Sequence, residues 1–600
     1  MQQRARSETD GRANGVQSSA AEYGSDVVVE LLKELGIRYI ALNPGSSYRG
    51  LHDSIVNFGM SPGPEIVLCC HEQIAVAVAG GYARVTGRPM AVGLHDVVGL
   101  QNACLGIYSA FCDRSPMLIL GGTGPMDLTK RRAHIDWVHT ALVQGNQVRD
   151  YVKWDDQPAS VGAIPESVLR AHRIATTEPQ GPVYLCFDSE LQEQVVEAPP
   201  AIPDVTRFAP PRGPAGSAGA LQEAASALVR AQRPVIIPDT MGRNRATLPM
   251  LLELAELLGC GVVDSGSYYN FPSTSPLDCS LAARAAISEA DVVLALDVVD
   301  LLGSVSAAIG PSQSAVYLDP SATVIHVTLG DYLLSKWAGD NERLLPVDLP
   351  IAADTAQALP ELIRLCRAAI DGDAEAPARI AQRRQRAKAM HDEAVGQART
   401  RVEKGLGARP ISSARLYSDL WSEIKGSNWS LVGTAGRAPL RAIWEFTEPD
   451  HRSGVGRAAG IGYSAAAGLG AALAYKESDR VPVCVSGDGS FLMVPQLLWT
   501  AASARLPILY VIYDNRSYGN DEGHQEHMAR VRGRSIENRG IGLRLDEPAT
   551  DFAQVAGGFG VRAFGPIADP DALAPALREA VHVVRDERRP ALVDVIVESP

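Results

Sequence analysis

Between Val481 and Gly519 the chain reads VPVCVSGDGSFLMVPQLLWTAASARLPILYVIYDNRSYG. One apolar run ends in Gly487-Asp488-Gly489-Ser490, an apolar helix-like stretch follows, and a second apolar run ends in Asp514-Asn515. The two runs have the composition of buried parallel strands, and the piece between them that of a crossover helix. Asp488 and Asn515 then sit at the carboxyl ends of two strands of one sheet, where open α/β folds bind ligands. One carboxylate, one amide oxygen and a nearby backbone carbonyl suit Mg²⁺, which keeps waters and takes further ligands from a bound phosphate. Gly487 and Gly489 allow close backbone approach, and a helix opening at Ser490 turns free N–H groups toward an anion. With Tyr518 and Gly519 closing it, the unit reads as a metal–diphosphate clamp.

Glu72 is the second residue whose setting points to chemistry. It follows the apolar run EIVLCC and His71, and opens QIAVAVAGGYARVTG, which is apolar on nearly every helical face. A carboxylate there is costly without a partner, although a first-turn acid favoured by the helix dipole is the plain alternative. Two loops accompany it: Asn43-Pro44-Gly45-Ser46 after RYIALN, and Leu94-His95-Asp96 after PMAVG. Read alone, they are a Pro-Gly turn and a capping pair. A His at a strand end also suits proton transfer near neutral pH, and Asp96 is placed to orient it.

The elements that carry these residues alternate. Apolar runs at IRYIALNP, EIVLCC, PMAVGL, SPMLILGG and GPVYLCF are interleaved with helix-like stretches, a βα pattern that implies a parallel sheet. A proline-rich stretch, 199–214, separates this region from a second one with strands at PVIIPD, CGVVDS, DVVLALD and TVIHVTL. A charged, alanine-rich segment, 374–405, reads as an exposed helix joining it to a third α/β region from about 411 to the end. The expected fold class is therefore α/β, with three doubly wound parallel-sheet domains at 22–198, 212–371 and 411–600 after a disordered tail, 1–21.

Six hundred residues are too many for one core, and 46% apolar with 21% charged residues is ordinary for a globular protein. A formal charge of −13 argues against nucleic acid as a partner. No apolar stretch is long enough to span a bilayer, and the polar N-terminus lacks the apolar core of a signal peptide. The nine cysteines show no metal-ligand spacing and read as reduced thiols of a cytoplasmic protein.

On the GDGS…Asn unit the sequence resembles the thiamine diphosphate (ThDP) enzymes of the 2-oxo acid decarboxylase and acetolactate synthase superfamily. The resemblance implies that Asp488, Asn515 and the backbone oxygen of Ser517 hold Mg²⁺; Asp514 stands where the family usually has Asn. It implies that Glu72 bonds to N1′ of the aminopyrimidine and favours its imino tautomer. It gives Ile461, between glycines in RAAGIGYSA, the role of a wedge that bends the cofactor, with Ala459 accepting from the 4′-amino group and Thr434 touching the diphosphate. NPGS, LH and the stretch LHDVVGLQNACLGIYSAFCDRSPMLILGG look most like benzoylformate decarboxylase, which implies a substrate-carboxylate contact for Ser46 and a proton relay for His95. That enzyme also draws a His from its central domain; here ALDVVDLLGSVSAAIG has none, and His326 lies in another strand. His524 and His527, in a charged segment unlike the family's, read as a solvated lid rather than active-site groups. FAD is not expected, because RPVIIPDTMGRN carries a single Gly.

The implied activity is decarboxylation or carboligation of a 2-oxo acid through a C2-carbanion/enamine intermediate, in a homodimer or homotetramer whose sites lie between subunits. An aldehyde or ketone can serve as acceptor. An acetolactate synthase-like acyl transferase and a catalytically inactive binding protein of the same fold are the alternatives. A Glu72→Gln variant is expected to bind ThDP–Mg²⁺ with nearly wild-type affinity in calorimetry and lose most turnover, whereas Asp488→Ala loses the binding itself. Unchanged turnover in Glu72→Gln overturns the assignment of the acid.

Overall fold

The computed structural model describes residues 16–17, 19–58, 63–264, 266, 268–310, 313–333, 343–454 and 456–599. The chain divides into two compact units, Met1–Ala83 with Arg88–Arg212, and Arg84–Gly87 with Gly213–Pro600.

In the first unit the strands are β1 (Val16–Gln17), β2 (Tyr39–Leu42), β3 (Glu65–Leu68), β4 (Met90–Leu94), β5 (Met117–Thr123), β6 (Asp155–Asp156), β7 (Pro182–Asp188) and β8 (Ile202–Pro203). Six of them form a sheet in the order β3-β2-β4-β5-β7-β6, and every pairing is parallel. All seven residues of β5 (MLILGGT) are buried, as expected of a strand covered on both faces. The chain leaves β2 toward β3 and returns to the other side of β2 as β4. The loops after β2 and β4 therefore flank a switch point, the place where such sheets open a crevice. Those two loops carry Asn43–Ser47 and His95.

The second unit holds two further parallel sheets. One comprises β9 (Pro234–Pro238), β10 (Gly261–Val262), β11 (Val292–Leu296), β14 (Thr323–Thr328) and β15 (Leu349–Ala352) in the order β10-β9-β11-β14-β15, and β12 (Ser306–Gly310) and β13 (Gln313–Val316) form a separate antiparallel hairpin. The other comprises β16 (Trp429–Gly433), β17 (Val481–Gly487), β18 (Leu509–Asp514), β19 (Arg562–Ile567) and β20 (Ala591–Ile596), ordered β16-β17-β18-β20-β19. Three parallel sheets flanked by helices are the α/β class expected from the alternating pattern. A single helix, Ala376–Gly405, fills the charged segment between the last two sheets.

Local differences have physical causes. The stretch after GDGS is not one crossover helix but two short ones, Asp488–Leu492 and Leu497–Ser503, with Pro495 in the break. The proline-rich stretch contains β8 and a 3₁₀ turn, Val205–Phe208, and β8 pairs antiparallel with β1 inside the segment expected to be a tail. Residues 1–15 of that tail lie outside the described residues.

The core of the last sheet is unusually aromatic. Trp444 is 1% exposed, stacks on Trp421 with centroids 5.5 Å apart, meets Trp429 edge-on at 5.1 Å, and donates its Nε1–H to the Tyr417 carbonyl at 3.0 Å. Trp444→Ala removes a large buried ring together with its hydrogen bond to the Tyr417 carbonyl. The expected cost is about 3–5 kcal/mol, seen as a lower denaturant midpoint.

Candidate cofactor site

In the first unit, Glu72 is the first residue of the helix Glu72–Thr86 and is only 5% exposed. Its carboxylate is not left alone. Oε1 accepts from Asn43 Nδ2 at 3.0 Å and Oε2 from Asn102 Nδ2 at 3.1 Å. Two side-chain amides therefore fix a buried acid in one orientation, an arrangement a dipole-favoured first-turn acid does not need. A Cβ built on Gly99 would lie 3.2 Å from Glu72 Oε1 and 3.3 Å from His95 Cβ, so the acid and the imidazole pack against the same glycine.

His95 follows β4 and precedes the helix Asp96–Cys112. Its Nδ1 lies 3.0 Å from Ser47 Oγ and 3.3 Å from Asp96 Oδ2. Burial lowers its pKa below the ordinary imidazole value, and the Asp96 charge only partly offsets this, which keeps the ring mainly neutral at pH 7. A Cβ on Gly45 would sit 2.2 Å from His95 Cβ, so glycine is required for the β2 loop to pass this close. Ser46 itself is exposed, and its neighbour Ser47 is the buried hydroxyl that engages His95. Asn43 is marked in the sequence only as part of the NPGS loop, and Asn102 and Ser47 have no signal of their own: the role of each arises when the β2 loop, the loop after β4 and the helix Asp96–Cys112 meet.

In the second unit, Asp488, Asn515 and Ser517 come together. Asp488 Oδ2 and Asn515 Oδ1 both accept from the Ser517 N–H at 3.1 Å, which sets a carboxylate oxygen beside an amide oxygen. Burial pushes the Asp488 carboxyl up to about 7, and the neighbouring Asp514 charge adds to that. Asp514 is 2% exposed, and among the described residues its Oδ2 has no hydrogen bond, with Arg516 Nε 4.0 Å away. Buried carboxylates held in this way favour a divalent cation, and two adjacent oxygen donors suit Mg²⁺. A Cβ on Gly487 would meet nothing within 4 Å, so open space lies beside the backbone just before Asp488. On Gly489 the same Cβ would come 2.5 Å from the Tyr518 ring. Ser490 Oγ accepts from the Gly462 N–H at 2.8 Å and ties the clamp to the Ile461 loop.

That loop is built for an occupant. Ile461 is 45% exposed, and Ala459 (φ +54°) and Gly462 (φ +87°) hold the backbone on either side of it in the left-handed region. An alanine there costs of order 1 kcal/mol, and an exposed Ile gains nothing from solvent. Arg457, at the start of the loop, donates to Asp239, the residue after β9 of the central sheet. Thr434 is exposed just past β16, and Gly519 opens the helix Gly519–Val531. His524 and His527 are exposed on that helix. His326 lies on β14 with Nε2 3.2 Å from the Val298 carbonyl.

Gly489→Ala is expected to displace Tyr518 and weaken ThDP binding in the presence of Mg²⁺ by tenfold or more, on the order of 1.4 kcal/mol, while leaving the fold intact. Unchanged affinity in isothermal titration would show that Tyr518 and the clamp are not packed as described.

Residues 23–145 match the thiamine pyrophosphate enzyme N-terminal TPP-binding domain, and residues 432–595 match the C-terminal TPP-binding domain. The acetolactate synthase large subunit of Haemophilus influenzae is 25% identical over 598 residues, covering 96% of this chain and 94% of that one. Benzoylformate decarboxylase of Pseudomonas aeruginosa is 25% identical over 594 residues, covering 95% and 98%. Among solved structures, the ThDP-dependent 4-hydroxybenzoylformate decarboxylase of Rhodococcus jostii RHA1 superposes with a TM-score of 0.72 at 21% identity, over 96% of this chain and 99% of that one. Benzoylformate decarboxylase from Polynucleobacter necessarius gives 0.73 at 19% identity, over 96% and 99%. At that identity the structures speak for the fold alone. The chain therefore carries the N- and C-terminal TPP-binding domains of the thiamine pyrophosphate enzymes, with the buried, amide-held Glu72 in the first and the Asp488–Asn515 pair in the second.

Proposed function

We propose that the chain is a ThDP- and Mg²⁺-dependent lyase that breaks or forms the carbon–carbon bond at the carbonyl of a 2-oxo acid. The carrying observation is the shared packing of Glu72 and His95 on Gly99, which sets a fixed acid and a proton-transferring imidazole side by side at the switch point of one sheet. When bound, ThDP supplies the electron sink that chemistry at a carbonyl carbon requires. Glu72, its oxygens held by Asn43 and Asn102, is the acid that would hold the aminopyrimidine of the cofactor and favour its imino form. Asp488 and Asn515, with the Ser517 carbonyl, would hold Mg²⁺, and Ile461 would pack against the bound cofactor. Ser46, exposed on the β2 loop, is free to meet the substrate carboxylate. His95, mainly neutral at pH 7, accepts and returns protons at the reacting carbonyl.

A homodimer or homotetramer completes the site, with the Glu72 unit of one subunit serving the clamp of another. All nine cysteines are free, which fits a reducing, cytoplasmic setting. The near full-length likeness to acetolactate synthase large subunits supports a second reading, in which the acyl fragment passes to another 2-oxo acid.

Incubating the protein with ThDP, Mg²⁺ and either pyruvate or benzoylformate, with and without added aldehyde, tests both. The expected result is CO₂ release and an aldehyde or hydroxyketone identified by mass, lost at least 100-fold in Glu72→Gln. Hydroxyketone products with no free aldehyde favour the synthase reading. Tight ThDP binding without CO₂ from any of a panel of 2-oxo acids would leave a binding protein and overturn the proposal.

A further inference from the structure

We propose that His139 is a positioning residue for His95: through the carboxylate of Asp96, which both imidazoles face, it fixes the orientation of the His95 ring and the charge that ring meets. For the role of His95 in proton transfer, the inference rests on the function proposed above.

His139 ends the short helix Asp136–His139, in the long connection between β5 and β6, and no sequence motif marks it. Its Nδ1 lies 3.3 Å from Asp96 Oδ2, the same oxygen that lies 3.3 Å from His95 Nδ1. The rings meet edge to face, with centroids 5.1 Å apart and planes at 82°. Asp96 is 2% exposed and holds φ at +31°, a backbone position that an aspartate takes only under constraint. Burial raises its carboxyl above the ordinary range, and His95 and then His139 oppose that rise. One buried carboxylate thus depends on two imidazoles.

An imidazole whose Nδ1 faces a carboxylate is held in one orientation, leaving Nε2 for chemistry. Among the described residues, neither Nε2 has a hydrogen-bond partner, and the two side chains are 17% and 25% exposed. The other charged groups facing the pair are Glu72, at the start of its helix, and Arg132 and Asp136, on the segment that carries His139. Arg132 and Asp136 are paired with each other, so Asp96 is the carboxylate in contact with both rings. Two positive imidazoliums on one carboxylate repel, so the first proton taken up disfavours the second. When His95 gives a proton to product, the Asp96 charge is free to hold a proton that His139 takes from solvent, and the net charge of the triad is unchanged.

The test is a titration of full-length protein loaded with ThDP and Mg²⁺, carrying ¹³Cε1-labelled histidine and followed by NMR. In wild type, His95 is expected to titrate below the ordinary imidazole value. In His139→Gln the competing positive charge is gone, so the His95 titration should shift upward by about half a pH unit or more. In Asp96→Asn it should shift downward. The acid limb of kcat against pH should move in the same direction as His95 in each variant, with KM changed less than twofold. A His95 titration identical in wild type and His139→Gln overturns the inference, as does a rise in KM with an unmoved acid limb. The three ligand atoms lie within 4.8 Å of one another, so a stoichiometric metal ion bound by wild type and lost in His139→Gln would also overturn it in favour of a metal site. The titration needs no substrate. If wild type releases no CO₂ from any 2-oxo acid, the proposed reaction fails while the positioning of His95 still stands or falls on the NMR.

Discussion

Burying a carboxylate in a protein interior is expensive unless donors or a cation stand against it, and this chain does so repeatedly at the carboxyl ends of its parallel strands. Glu72 is met by two asparagine amides, Asp96 by two imidazoles, and Asp488 by backbone N–H groups of its own loop and of the loop after β18. Each solution recruits a residue from a different strand loop, so the loops are fixed relative to one another by the need to satisfy charge. Apolar strands supply the rigid frame. The carboxylates decide how the loops on that frame are arranged.

The two halves differ in how completely the chain itself satisfies them. Glu72 has a protein donor on each oxygen. At the clamp, among the described residues, Asp514 Oδ2 and Asp594 Oδ1 are buried without a hydrogen bond, with Arg516 Nε 4.0 Å from Asp514 Oδ2, and burial pushes Asp594 up to about 7 as it does Asp488. The protein alone satisfies the first acid, whereas the second set keeps buried carboxylate oxygens that a cation could satisfy.

What the sequence made legible follows from the range of each signal. The strands were plain because a parallel sheet covered on both faces requires unbroken apolar runs, and β5, β11 and β17 are such runs. The clamp was plain because its three residues lie within one βαβ unit. Glu72 stood out because a charge heads an apolar helix. Ser46 and Ser47 could not be told apart, since only the turn geometry decides which hydroxyl turns inward to His95. Asn102, His139 and Asp239 were invisible, because their partners lie tens to hundreds of residues away and no periodicity encodes such a meeting. The break at Pro495 was readable and was passed over in favour of a continuous helix.

The pairing of Arg457 with Asp239 ties the Ile461 loop to the central sheet. Ile461 lies only a turn of chain beyond Arg457, so the set of that loop is anchored to a sheet that carries neither Asp488 nor Asn515. Sequence drift in that sheet can then alter the set of the loop while the loop's own residues stay the same. Relatives with identical catalytic side chains can diverge in reaction preference by this route, and a comparison restricted to active-site residues would miss the cause.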